Sequence, residues 1–317
     1  MKVRKLMVGL SVLTFSALVL GACSSDNNKD SAASSASTTA SSTTATSSSN
    51  AATTESSAPA KTAGADLQDG TYKLEEKNYS NGYRAVFAIT VKDGKITESN
   101  GDYVNEAGKS KTEDTEYETN MKAKSGVGPA EFIPALNESL VATQSAGDVE
   151  VVTGATHTSE SFQNYAQQLI QAAQAGKTDT IEIDNGADLK DGTYQLTEKN
   201  DSNGYHVDFA ITVSGGKVTE SNFDYKNADG KSKKDDTEYE TNMKAKSGVG
   251  PAEFIPALND SFLKAMGEED GSAADVEVVT GATHSTHGFI LYAQQLLNAA
   301  EKGDTTPIEV DNIVMSK

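Results

Sequence analysis

Two short strings of hydroxyl-bearing residues stand where a phosphate or a transferred group could be held. The first is "VVTGATHTSESF", Val151 to Phe162, and the second is "VVTGATHSTHGF", Val278 to Phe289. In each, an apolar run leads into Thr153-Gly154-Ala155-Thr156 or Thr280-Gly281-Ala282-Thr283, and a helical pattern follows. The glycine permits a sharp turn and the alanine leaves room. The last threonine then displays its hydroxyl just ahead of a helix N-terminus, where unpaired amides and the helix dipole favour an anion. Two readings fit these residues. The turn could bind or carry a phosphate group, or its hydroxyls could be turn formers and caps, with Thr158 or Ser159 and Ser285 or Thr286 as N-cap candidates. His157, His284 and His287 lie beside the turns; without a third ligand the His284/His287 pair reads as solvated loop histidines, and no metal site is expected.

The elements that must position these turns are also repeated. "DLQDGTYKLEEKNYSNGYRAVFAITVKDGKITESNGDY", Asp66 to Tyr103, matches the segment Asp188 to Tyr225, and "DTEYETNMKAKSGVGPAEFIPALN" is identical at Asp114 to Asn137 and Asp236 to Asn259. The second copy gains five residues around "GEEDGSAAD", which brings Thr156 into register with Thr283. Each copy is of single-domain size. "YRAVFAITV" alternates as a strand and "KDGK" supplies a hairpin turn. Thr115 to Lys124 and Ala130 to Ala142 read as helices separated by "SGVGP", and an "EVV" strand precedes a final helix. That helix carries Phe162, Ala166, Leu169 and Ala173 on one stripe, mirrored by Phe289, Ala293, Leu296 and Ala300, which is a core-packing face. The expected class is α+β, two tandem domains, each a small, mainly antiparallel sheet with helices on one face. "IEID", in the link between them, is a candidate last strand of the first unit.

The N-terminus fixes the compartment. Lys2, Arg4 and Lys5 precede an apolar run from Leu6 to Leu20 and then "LGAC", the pattern of an export signal with a lipoprotein cleavage box. Residues 1–22 are read as the signal peptide, and Cys23, the sole cysteine, as the lipid-bearing first residue of the mature chain. With that thiol acylated, disulfides, thiolate metal sites, iron–sulfur clusters and covalent c-type haem are excluded from the folded part. Multiple acyl chains would hold the protein on the membrane. Residues 23–64 are rich in Ser, Thr and Ala, and Ser24 to Lys61 contains no aromatic, Leu, Ile or Val, so this stretch is expected to be a disordered tether. About 40 such residues have an r.m.s. reach of roughly 35 Å and a stretched span of about 130 Å.

The formal net charge is −19, and loss of the basic leader makes the mature chain more acidic still. Nucleic acid and anionic lipid are therefore not the expected partners, although charge alone says nothing about chemistry.

The "DGTY…GY…ITVKDGKI" meander, the helical segment and the "TGAT" before a terminal helix together resemble the FMN-binding domain of sodium-pumping quinone reductases and of Gram-positive flavin lipoproteins. From leader to final helix, the chain resembles the lipoproteins of flavin-based extracellular electron transfer. The resemblance implies that the final threonine of each turn, Thr156 and Thr283, accepts FMN through a phosphoester, installed from FAD by a magnesium-requiring flavin transferase. It implies two covalent FMN groups, with Thr153, Gly154, Ala155, Thr280, Gly281 and Ala282 forming the attachment turns. The family usually places an aspartate two or three residues ahead of the motif. Here the nearest acids are Glu150 and Asp148, and Glu277 and Asp275. The identical segment with Met121, Gly126, Gly128, Pro129 and Phe132, repeated as Met243, Gly248, Gly250, Pro251 and Phe254, is the expected wall against the flavin ring, unless its identity only records a recent duplication. The function expected from the resemblance is an electron carrier on the outer face of the membrane. It would draw on a membrane quinol-linked donor and serve extracellular acceptors such as ferric iron. A non-redox surface module with tandem wall- or ligand-binding domains is the rival expectation.

Overall fold

The computed structural model describes residues 61–315; the leader, Cys23 and the tether as far as residue 60 lie outside the described residues. In chain order the first half contains β1 (Lys61–Ala63), β2 (Gly70–Glu76), β3 (Arg84–Lys92), β4 (Lys95–Ser99), β5 (Asp102–Val104), α1 (Thr115–Ser125), α2 (Pro129–Thr143), α3 (Thr156–Ala175) and β6 (Ile181–Ile183). The second half follows with β7 (Gly192–Glu198), β8 (His206–Ser214), β9 (Lys217–Lys226), α4 (Thr237–Ser247), α5 (Pro251–Gly267), α6 (Thr283–Lys302), β10 (Ile308–Val310) and β11 (Val314–Met315).

The strands alternate as the sequence does. In β3, Ala85, Phe87, Ile89 and Val91 are buried while the residues between them are not, and β8 repeats the pattern with Val207, Phe209, Ile211 and Val213. Asp93 and Gly94 both take positive φ, as do Gly215 and Gly216, which suits the tight two-residue turns that close the β3–β4 and β8–β9 hairpins. The two sheets have matching orders, β4-β3-β2-β6 with β5 also on β3, and β9-β8-β7-β10. Pairing is antiparallel except for β6 on β2 and β10 on β7, which are parallel. The "IEID" segment thus supplies the last strand of the first sheet.

The apolar stripes of α2, α3, α5 and α6 pack against these sheets in one continuous core. By contrast α1 and α4 bury no residue; Asp114 and Asp236 cap their N-termini, and Gly126 and Gly248, in the left-handed conformation, end them. The side chain of Asn137 on α2 supports the gap between β4 and β5. Its Oδ1 accepts from Gly101 N and Ser99 Oγ at 2.6 Å each, and its Nδ2 donates to Gly101 O at 2.8 Å. Asn259 makes the matching bonds to Ser221 and Phe223 along the unbroken β9.

Two expectations are corrected. The "EVV" segments form no strand; a 3-10 turn, Ala146–Asp148 or Ala273–Asp275, leads instead into an extended run whose backbone is held by side chains of the following helix. The last tether residues, 61–63, are ordered as β1, because β11 returns from the far end of the chain to pair with them antiparallel. Residues 61–315 fall in one compact unit, with α3 crossing α6 through Asn164–Asn298, Gln168–Asn298 and Gln171–Gln295 hydrogen bonds.

Candidate cofactor-attachment site

Each "TGAT" turn lies against the C-terminal end of the preceding polar helix. Gly154 has φ +84°, and a Cβ there would stand 2.3 Å from the carbonyl oxygen of Ser125. Gly281 has φ +85° and its Cβ would stand 2.2 Å from the oxygen of Ser247. Glycine is therefore demanded twice over, by conformation and by space. This contact brings the end of the repeated identical segment, Ser125 to Val127, to the turn. Gly126 and Gly248 are exposed there, and Met121 and Met243 are half-buried against the core. Gly128 and Gly250 are buried at the N-caps of α2 and α5, where Pro129 and Pro251 open the helices. Phe132 and Phe254 are core residues, each 1% exposed, so they line no accessible wall.

Thr156 and Thr283 are the first residues of α3 and α6, and both are exposed, as are Thr153 and Thr280. Ala155 and Ala282 are buried at the N-cap positions, and no side chain caps either helix. This corrects the capping expectation. The helices begin earlier than the hydroxyl pattern suggests, so Ser159 and Thr286 sit one turn inside. There Ser159 Oγ donates to Ala155 O at 2.9 Å and accepts from Val152 N at 3.0 Å, and Thr286 makes the same pair of bonds to Ala282 and Val279. Both are fully buried and brace the turn rather than cap the helix. An exposed hydroxyl at the head of an uncapped helix, on a rigid turn, suits a phosphoester: the first-turn amides have no competing side-chain acceptor.

Three arrangements near these turns escaped the sequence reading. Lys233 lies among three tyrosine rings, its Nζ 4.1, 4.7 and 5.0 Å from the centroids of Tyr239, Tyr225 and Tyr205; Lys111 occupies the equivalent cage of Tyr117, Tyr83 and Tyr103. Hydrogen bonds to Asp114 and Asp236 push the Tyr83 and Tyr205 hydroxyls up to about 12. Half-buried Glu76 and Glu198 accept from buried Tyr165 and Tyr292, and desolvation raises both carboxyls above the usual range despite those bonds. A "SK" pair at Ser110-Lys111 and Ser232-Lys233 was the available signal for the cages, but the tyrosines come from distant strands and helices.

Beside Thr283, a cavity of about 360 Å³ is lined by His284, Ser285, Lys233, Tyr225 and Tyr239 from the second half, and by the Ser145–Asp148 turn of the first. The reciprocal contact occurs at Thr156, where His157 Nε2 lies 3.7 Å from Asp275 Oδ1 in the second half's 3-10 turn. The attachment helix of each half thus abuts the acid-bearing turn of the other.

The FMN-binding domain family matches residues 82–171, from the start of β3 through most of α3 and including the first attachment turn. The "15 kDa lipoprotein" of Treponema pallidum (strain Nichols) is 35% identical over 121 residues, spanning 38% of this chain and 82% of the relative. The chain belongs to the FMN-binding domain family. Among solved structures, the CPE2226 protein of Clostridium perfringens is 39% identical, covering 37% of this chain and 97% of its own, with a TM-score of 0.36. A solution structure from Clostridium thermocellum is 22% identical, covering 36% and 95%, with a TM-score of 0.25.

Proposed function

We propose that this protein is a membrane-anchored electron carrier with two covalent FMN groups, one on Thr156 and one on Thr283. The observation that carries the reading is the duplicated attachment turn: an exposed threonine opening an uncapped helix, held in place by a glycine with positive φ, in a chain with an FMN-binding domain. On this reading the chain is a tandem pair of FMN-binding domains, matured by a flavin transferase. Cys23 carries the acyl anchor, in keeping with the lipoprotein name of the Treponema relative. Electrons come from a membrane quinol-linked system and leave to extracellular acceptors such as ferric iron.

Bound FMN supplies reversible electron uptake at its ring system. The residues of this chain do the rest. Thr156 and Thr283 fix the phosphate at the helix N-termini, where the amides of the first turn favour its charge. Ser159 and Thr286 hold the turn to the helix. At the second site Lys233, Tyr225 and Tyr239 line the adjoining cavity, presenting aromatic faces and a fixed cation.

The test is to isolate the full chain co-produced with a flavin transferase, denature it, and measure retained flavin by fluorescence on a gel and by intact mass. Two FMN groups are expected, and Thr156→Ala and Thr283→Ala should each remove one. A chain that leaves its native host without flavin would overturn the proposal in favour of a non-redox surface module.

A further inference from the structure

The two halves are matched closely enough that their differences near the attachment turns stand out. The caged lysine, the glutamate–tyrosine pair and the acid-bearing 3-10 turn occur in both. Asp275 approaches the Thr156 side, and Asp148 lines the cavity on the Thr283 side. These shared features cancel in a comparison of the two sites.

The residue one helical turn after each acceptor does not cancel. At i+4 it lies on the same helix face, with Cβ atoms roughly 5–6 Å apart. In α3 this residue is Glu160, and in α6 it is His287. Glu160 is 3% exposed, and its Oε2 is buried without a hydrogen-bond partner. The charged group facing it is Asp275 from the second half, which also lies 3.7 Å from His157 Nε2. His287 is half-buried and faces His284.

We propose that a flavin on Thr156 reduces at a lower potential than a flavin on Thr283, because a buried acid follows the first attachment point and an imidazole follows the second. The inference rests on the reading that both threonines carry FMN. Each oxidised flavin takes two electrons and one proton to reach its anionic reduced form, with the quinol-class donor as reductant. That count is the same at both sites, so only the surroundings separate the potentials. Above about pH 8, where the potentials are to be measured, Glu160 is ionised. A negative charge gained by the flavin held at Thr156 is then opposed by a carboxylate that solvent screens poorly, whereas the imidazole of His287 imposes no such opposition. Electrons shared between the two sites therefore collect at Thr283.

The test uses the full chain carrying one flavin at a time. Thr283→Ala leaves only the Thr156 flavin and Thr156→Ala only the Thr283 flavin, and the midpoint potential of each is read by spectroelectrochemistry above about pH 8, where Glu160 is ionised. The Thr156 flavin is expected at the lower potential. Glu160→Gln and Glu160→His, introduced into the Thr283→Ala chain, should both raise it; His287→Glu, introduced into the Thr156→Ala chain, should lower the other. Equal or reversed potentials, or Glu160 variants that leave the Thr156 flavin unmoved, overturn the ordering while leaving covalent attachment intact. Absence of flavin from both single-acceptor chains overturns the ordering and the proposed function together.

Discussion

At Glu160 a single side chain couples proton binding to folding. Burial first, and the nearby charge of Asp275 second, push its carboxyl up to about 7. The folded chain therefore holds this proton more tightly than the unfolded chain does. The associated stability is fully present below the ordinary carboxylate range and is lost as pH rises through about 7. The flavin-free chain is expected to lose on the order of 2 to 3 kcal/mol between about pH 4 and pH 8 from this group. Glu160→Gln should flatten that part of the profile in denaturant titrations across the same range. Gly154 acts at the same scale through space rather than charge. Gly154→Ala must accommodate a Cβ against the Ser125 carbonyl at a left-handed φ, and should cost about 2 to 4 kcal/mol. Peptide mapping should show flavin lost at Thr156 and retained at Thr283.

At the scale of elements, strands with strict alternation were legible in the sequence. "YRAVFAITV" reads as a half-buried strand, and β3 is one. The limits of α1 and the start of α2 were equally clear because Asp114, Gly126 and Pro129 are strong local punctuation. The "EVV" runs misled because three β-favouring residues cannot distinguish a sheet strand from an extended segment held by side chains. Ser159 bonding to Val152 N is a tertiary decision that no local propensity encodes. The two exposed turn threonines, Thr156 and Thr283, stood out through repetition as attachment candidates. The tyrosine cages were not, since Tyr83, Tyr103 and Tyr117 meet Lys111 only after folding. The break between β4 and β5 has a local cause. Gly101 stands where β9 has Phe223, and a Cβ at Gly101 would fall 2.7 Å from the Phe87 ring. There the Asn137 amide replaces strand continuity, so Asn137→Ala strands the Gly101 N–H and carbonyl. A loss of about 2 to 4 kcal/mol is expected, readable as a lowered melting temperature. Asn259→Ala strands the Phe223 N–H and carbonyl in the same way and should cost a similar amount.

Over the whole molecule, the halves interlock at several places. Gln174 Nε2 donates to Asp311 O at 2.7 Å, and Glu301 Oε1 accepts from Gly186 N, in the segment between the halves, at 2.8 Å. The acid-bearing turns also cross over, Asp275 to the first attachment helix and the Asp148 turn to the cavity beside the second. Asp275→Asn should therefore alter a property of the half that does not contain it. Its removal takes a charge from beside Glu160 and should shift that carboxyl downward toward its ordinary value, measurable by the same stability profile.

The pairing of β1 with β11 has a mechanical meaning. Any pull on the folded body from the N-terminal side enters at Lys61, where the chain is already bonded to Val314 and Met315 at its other end. Just inside, Ala65 N donates to Asp311 Oδ1, which also accepts from Asn200 of the second half. Tension arriving from an anchor would have to part this terminal ribbon before it reached β2 and the first sheet. On the proposed anchoring through Cys23, the clasp is placed to shield the two TGAT turns from drag along the membrane-facing end of the chain.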